Sequence, residues 1–194
     1  MLRKIIFALW SVIIMTAATS GSAQAASPEN TLYIDLESGR VTIEMFPELA
    51  PKHVERIKTL AREGFYDGIV WHRVIDGFMA QTGDPTGTGM SGSEYPDLEA
   101  EFSDYNYDRG TIGMARTNMP NTANSQFFIC FNDCSFLNGQ YTVWGKVIDG
   151  MDLVDGIAKG EPPGNPDKMV KVSVAADIMA GEEPAAGKTR EAAE

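Results

Sequence analysis

The stretch WHRVIDGFMAQTGD, Trp71 to Asp84, sets one arginine, Arg73, among aromatic and aliphatic residues, with Gln81 the only uncharged polar side chain of any length. No paired acid and base, nucleophile or metal cluster accompanies them. Arginine stays charged and offers its donors in a rigid fork, so this set can donate hydrogen bonds but cannot shuttle protons. From spacing alone, Arg73 suits a surface ion pair with Asp76, and Phe78, Met79 and Phe128 suit an ordinary core. His72 has no carboxylate partner in sight and reads as a packed or surface residue rather than a base. His53, beside Lys52 and near Glu55, reads as exposed, and the acidic pair Glu99 and Glu101 as solvated surface. Two histidines argue against a histidine-based metal centre.

Other motifs fail on context. Gly87-Thr88-Gly89-Met90-Ser91-Gly92 matches G-x-G-x-x-G, but the dinucleotide fingerprint needs a strand before it and a helix opening within it. Here Asp84-Pro85 precedes and Ser93-Glu94-Tyr95-Pro96 follows, so it reads as a flexible loop. No Gly-Lys-Ser/Thr follows to make a P-loop, and no G-x-S-x-G elbow is present. Cys130 and Cys134 are the only cysteines and are not spaced as C-x-x-C. Cys130 ends an apolar run that reads as a buried strand, which favours two free thiols over the disulfide that an oxidising compartment would allow.

The surrounding pattern alternates. Leu32, Ile34 and Leu36, then Val41, Ile43 and Met45 after a turn at Ser38-Gly39, predict a hairpin with one buried face. Pro51 opens a helix with Val54, Ile57, Leu60 and Ala61 on one face, stopped by Gly64. Strand-like runs follow at 69–73, 78–82, 111–114, 125–130 and 141–147. A short helix is expected over 151–158, then a proline-rich loop at 162–166 and a last alternating run over 170–178. Many short strands, two short helices and glycine-rich connections make the chain mainly β, an antiparallel barrel or sandwich. Its bulky alternating residues suggest a filled interior, which argues against a lipocalin-type ligand barrel.

Arg3 and Lys4, the apolar run 5–18 and Ala23-Gln24-Ala25 fit a signal peptide over 1–25. The run is shorter than the roughly 20 residues that span a bilayer, so no membrane association is expected after cleavage. The folded domain then covers 26–180, and 181–194, rich in Ala, Glu and Lys, is expected to be a disordered tail. A signal together with the Met114-Ala115-Arg116-Thr117 segment favours a periplasmic location, with secretion to the medium as the alternative. The formal charge of −11 argues against nucleic acid or anionic lipid as a partner. No leftover apolar stripe demands a second subunit, so a monomer is expected.

Three segments carry a resemblance: Trp71 to Asp84, MARTNMPNTANSQFFIC from Met114 to Cys130, and SFLNGQYTVWGKV from Ser135 to Val147. Together they resemble the cyclophilin family of peptidyl-prolyl cis/trans isomerases. The pattern F-H-R-x-I-x-x-F-M-x-Q-x-G-D is matched at nearly every fixed position, with Trp71 in place of phenylalanine. The resemblance implies an eight-stranded antiparallel closed barrel capped by two α-helices, with a peptide groove outside. It implies rotation about Xaa-Pro bonds in proline-containing polypeptides, unfolded exported proteins among them, with no cofactor or metal. By the same resemblance Arg73 is the catalytic donor, Phe78, Met79, Phe128 and Leu137 line the proline pocket, Gln81 holds the substrate backbone and Gln126 supports the groove. Ala115 and Arg116 would lie beside the residue preceding proline, and His72 would be structural. Phe136 and Tyr141 stand in the groove where many members carry tryptophan and histidine; both keep a ring. Losing the indole N–H implies weak inhibition by cyclosporin. Arg116 replaces an asparagine and Met119 is an extra loop residue, which bear on substrate preference. A peptide-binding module without turnover is the rival reading, and the intact Arg73, Phe78, Gln81 and Phe128 set argues against it.

Overall fold

The computed structural model describes residues 26–182, so the signal-peptide reading of 1–25 and nearly all of the tail reading of 181–194 lie outside the described residues. β1 (Thr31–Leu36) and β2 (Gly39–Met45) pair antiparallel around Glu37-Ser38, one residue earlier than expected. Leu32, Ile34 and Leu36 on one strand and Val41, Ile43 and Met45 on the other are buried, as a period of two on a one-sided sheet requires. β3 (Arg73–Ile75), β4 (Met79–Thr82), β5 (Thr111–Met114), β6 (Phe127–Cys130), β7 (Val143–Asp149) and β8 (Lys171–Val174) complete an eight-stranded antiparallel sheet. Its order is β3-β4-β6-β5-β7-β2-β1-β8.

The sheet curls, yet among the described residues its edge strands β3 and β8 do not pair with each other. An irregular strap closes the gap. Val74 and Gly160 exchange backbone hydrogen bonds of 2.8 and 2.9 Å, Trp71 N–H donates to the Asp167 carbonyl, and Val170 N–H donates to that of Asp35. The expected closed barrel is therefore a curled sheet closed by a loop. The run at 69–73 yields a strand only from Arg73 onward, because its earlier residues bond to this strap instead of a strand.

α1 (Pro51–Arg62) starts on proline and buries Val54, Ile57, Leu60 and Ala61 as the spacing predicts. His53 departs from expectation: it is fully buried, with Nδ1 2.6 Å from Oε2 of Glu101. The same carboxylate accepts the backbone N–H groups of Lys52 and His53 at 3.2 and 3.1 Å. Ala50, at the cap position, has no side-chain oxygen for these amides, so Glu101 caps the helix from afar, where the dipole favours negative charge. Glu101 is thus a structural acid, not solvated surface. α2 (Met151–Asp155) is shorter than 151–158 because Gly156 turns its N–H back onto the last carbonyls, although Ile157 still reaches the core. The alternation expected to reach Ile178 stops at Val174. From there Ala175-Ala176-Asp177 opens a third helix, α3 (Ala175–Glu182), since alanine favours helix and Asp177 in the first turn is gripped by Arg62 at 2.9 Å.

Alternation also separates core from site. Inside the curl, Phe127 meets Trp144 and Trp71 edge to face, with centroids 5.4 and 6.2 Å apart, and the interior is filled. On β6, Phe127 and Ile129 belong to this core, while Phe128 and Cys130 belong to a second cluster with Met79, Tyr107, Leu137 and Val143. Cys130 and Cys134 are free and buried there. Among the described residues no helix is long and apolar enough to cross a membrane, and no group of three or more His, Cys, Asp or Glu could hold a metal ion.

Candidate active site

Strand register places the polar and aromatic candidates in one row on the outer face. Arg73 pairs with Gln81, Gln81 with Phe128, Phe128 with Gly113, and Gly113 with Val143. Beside it runs a second row of Ile75, Met79 and Cys130. Gly113 must lack a side chain: a Cβ there would overlap the Tyr107 hydroxyl and lie 2.6 Å from Phe128 Cζ. The Phe128 ring therefore stacks on Tyr107, centroids 5.9 Å apart, and Tyr141 closes its other side edge-on at 5.8 Å.

Above these rows lies a cavity of about 340 Å³. Met79 and Phe128 are buried in its base, with Leu137 supplied by the 3-10 turn Ser135–Leu137. Phe78 and the exposed Phe136 form an aromatic rim, their rings 5.4 Å apart. Arg73, Gln81, Ala115, Arg116 and Tyr141 complete the lining. Every residue expected at the site is therefore gathered here except Gln126, which lines an adjoining cavity of about 410 Å³ that shares Gln81, Ala115 and Arg116.

A chain of hydrogen bonds fixes the polar side. Gln126 Nε2 donates to the carbonyls of Gly89 and Ser91 at 3.1 and 2.7 Å. That leaves Gln126 Oε1 to accept from Gln81 Nε2 at 2.9 Å, and Gln81 Oε1 to face Arg73 Nη1 at 3.5 Å. Each amide thus has one orientation that satisfies both ends. Arg73 Nε donates to Glu161 Oε2 at 2.9 Å. The ion pair that pattern alone assigned to Asp76 is made with Glu161 instead, on the strap stapled to β3 through Gly160.

Two residues that sequence reasoning missed organise this network. Glu161 is one; it lies 88 positions from Arg73 in a proline-rich loop, and no local signal marks it. Asp84 is the other. It is fully buried and accepts backbone N–H bonds from Thr86, Thr88, Met90 and Ser91, at 2.8, 3.2, 3.0 and 3.3 Å. Burial alone would raise its pKa, but the hydrogen bonds from Thr86 and the loop amides outweigh that and hold it below the ordinary carboxylate value. The glycine-rich loop is thus wrapped around an internal carboxylate rather than open to a phosphate. The acid at the end of the Trp71 to Asp84 motif was the available clue.

His72 is buried, and burial lowers its pKa, keeping the ring neutral. It packs against Gly89 of the wrapped loop, where a Cβ would lie 3.3 Å from its ring. It acts as a support for that loop. Arg116 stacks over Tyr141, its Cζ 4.3 Å from the ring centroid, and donates to the carbonyls of Thr117 and Gln140 at 2.8 Å each.

Residues 31–176 match the family model described as cyclophilin type peptidyl-prolyl cis-trans isomerase/CLD. The chain is a cyclophilin-type isomerase. A probable peptidyl-prolyl cis-trans isomerase of Brucella suis is 54% identical over 172 residues, covering 80% of this chain and 88% of that one. The peptidyl-prolyl cis-trans isomerase-like 3 protein of Rattus norvegicus is 46% identical over 133 residues, covering 66% and 81%. Among solved structures, a cyclophilin from Hirschia baltica superposes with a TM-score of 0.73 at 29% identity, covering 78% of this chain and 76% of that one. A Cryptosporidium parvum cyclophilin, determined in the presence of the dipeptide Ala-Pro, gives 0.69 at 31% identity, covering 74% and 98%. Membership explains why a cyclophilin site can lack acid, base and nucleophile: rotation about a peptide bond makes and breaks no covalent bond.

Proposed function

We propose that Arg73 catalyses this rotation by donating to the prolyl nitrogen, with the proline ring in the 340 Å³ cavity, and that the protein assists folding of exported proteins in the periplasm. The obstacle is amide resonance, a barrier of about 18–20 kcal/mol for peptide bonds in general. Twisting the bond frees the nitrogen lone pair and reduces charge separation. An apolar pocket made by Phe78, Met79, Phe128 and Leu137 disfavours the planar ground state relative to the twisted one. The freed lone pair then accepts from a guanidinium, an interaction available chiefly in the transition state. Gln81 and Gln126 hold that donor and the peptide backbone in place.

The observation that carries this reading is the guanidinium itself, fixed between Gln81 and Glu161 at the edge of a cavity whose base is Met79, Phe128 and Leu137. The basic start, apolar run and Ala23-Gln24-Ala25 carry the exported role. The test is isomerisation of an Ala-Pro peptide by wild type and Arg73→Ala. One charge-assisted hydrogen bond is worth about 1.5–3 kcal/mol, so the folded variant should lose roughly ten- to a hundred-fold in kcat/KM. Full activity in Arg73→Ala would refute the donor role. Recovery of the chain from the periplasmic fraction with its N-terminus near Ala26 tests the exported role, and retention in the cytoplasm would end it.

A further inference from the structure

We propose that Arg116 makes this isomerase select substrates with an acidic side chain immediately before the proline. The inference rests on the isomerase reading and concerns which polypeptides it serves. The chain carries a net charge of −11, yet the charged residues lining the main cavity are two arginines, Arg73 and Arg116, with no carboxylate. Arg73 is neutralised by Glu161 on the strap side. Arg116 is not: its Nη groups are held by the carbonyls of Thr117 and Gln140, which leave its charge uncompensated, and among the described residues it has no carboxylate partner. Its Nε is buried without any hydrogen-bond partner. The guanidinium also lies over Tyr141, its Cζ 4.3 Å from the ring centroid, so little side-chain freedom is lost when it meets a ligand.

Position follows from where Arg116 stands. It lines both the main cavity and the adjoining one, at the seam formed with Gln81 and Ala115. With proline in the main cavity, as the isomerase reading has it, the residue preceding it falls at this seam, beside the N–H that each Nη group has left over, while the buried Nε takes no part. Farther along, the adjoining cavity carries Asp97, held by the Asn124 amide at 3.1 Å, and a second carboxylate reaching it would be repelled. The preference is therefore for one acid adjacent to proline, not for an acidic run.

The experiment compares kcat/KM on peptides that differ only in Glu, Gln or Lys before proline, using the full chain, with uncatalysed rates subtracted. Glu and Gln are nearly isosteric, so their ratio isolates charge. Wild type should favour Glu over Gln by about three- to tenfold at low salt, with Lys below Gln, and the ratio should fall as ionic strength rises. Arg116→Gln should bring the ratio to about one, whereas Arg116→Lys should keep part of it. A wild-type ratio of one, a ratio that survives in Arg116→Gln, or one that salt leaves unchanged overturns the proposal. Turnover of none of the peptides would instead sink the isomerase reading itself, so the two failures are distinguishable.

Discussion

Glu161→Gln tests whether this carboxylate only positions Arg73, the proposed donor, or takes part in the reaction itself. The Arg73–Glu161 pair is half exposed, with side chains 41% and 52% accessible. Such pairs stabilise by about 0.2–1 kcal/mol in double-mutant cycles, so the substitution should leave the melting temperature within roughly 2–4 °C of wild type for a domain of this size. Its effect on catalysis is bounded the same way. If the pair only biases the guanidinium toward the cavity edge, losing it costs at most the same free energy, an activity loss of up to about fivefold. That is well below the loss expected for Arg73→Ala. The strap should not move, since Gly160 and Val74 keep their two backbone bonds. Stopped-flow isomerisation of an Ala-Pro peptide, with Glu161→Asp as a partial rescue, measures this. A loss matching Arg73→Ala would make Glu161 more than a positioning residue. A gain in kcat/KM would mean that the pair restrains Arg73, and would refute the reasoning outright.

Two other perturbations probe the supports. Asp84→Ala removes the acceptor for four loop amides, and bonds to charged groups contribute about 1.5–3 kcal/mol each before relaxation. Limited proteolysis should then cut between residues 85 and 93, and kcat/KM should fall because Gln126 loses its anchoring carbonyls; a loop as resistant as wild type would contradict this. The two histidines give a pH signature. Burial lowers the pKa of both His53 and His72 from 6.5, so the unfolded chain binds more protons as pH falls below that value. Their contribution is intact above about pH 6.5 and lost as pH falls toward the folded-state values. Melting temperatures should decline from pH 7 to pH 5, less steeply in His53→Gln than in wild type; an identical slope would exclude His53 as a source.

Arg73, Gln81 and Phe128 were legible as a site only through the family resemblance; spacing alone made Phe128 core and Arg73 a surface ion pair, because a period of two tells which side chains share a face but not which face is the site. What escaped depends on partners remote in sequence. His53 looked exposed because Lys52 and Glu55 beside it are charged, whereas its environment is set by Glu101, 48 positions on. Glu161 carries no pattern at all; only closure of the sheet by the strap brings it to Arg73. The third helix was hidden because Val170 to Ile178 mixes strand alternation with an alanine-rich tail, and tertiary contact with Arg62 decides the outcome. Asp84 was seen as a motif position but not as the centre of a folded loop.

The same period of two also explains how specificity can vary here without endangering the fold. Core residues Phe127 and Ile129 alternate on β6 with Phe128 and Cys130 of the second cluster, so the row Arg73, Gln81 and Phe128 is backed by a filled interior. Phe136 and Arg116 stand on connections at the rim, where Phe136 is exposed. A change at Phe128 or Gly113 must repack against Tyr107 and the sheet, which costs about 1–3 kcal/mol even for modest overpacking. A change at the exposed Phe136 meets mostly solvent, and surface substitutions of that kind usually stay within about 0.5 kcal/mol, while a change at Arg116 gives up local contacts with Tyr141 and two loop carbonyls but none with the core. Chemistry is therefore tied to strands and preference to loops. That division is why the proposed substrate preference is sought at Arg116, on a loop, and not in the Trp71 to Asp84 stretch.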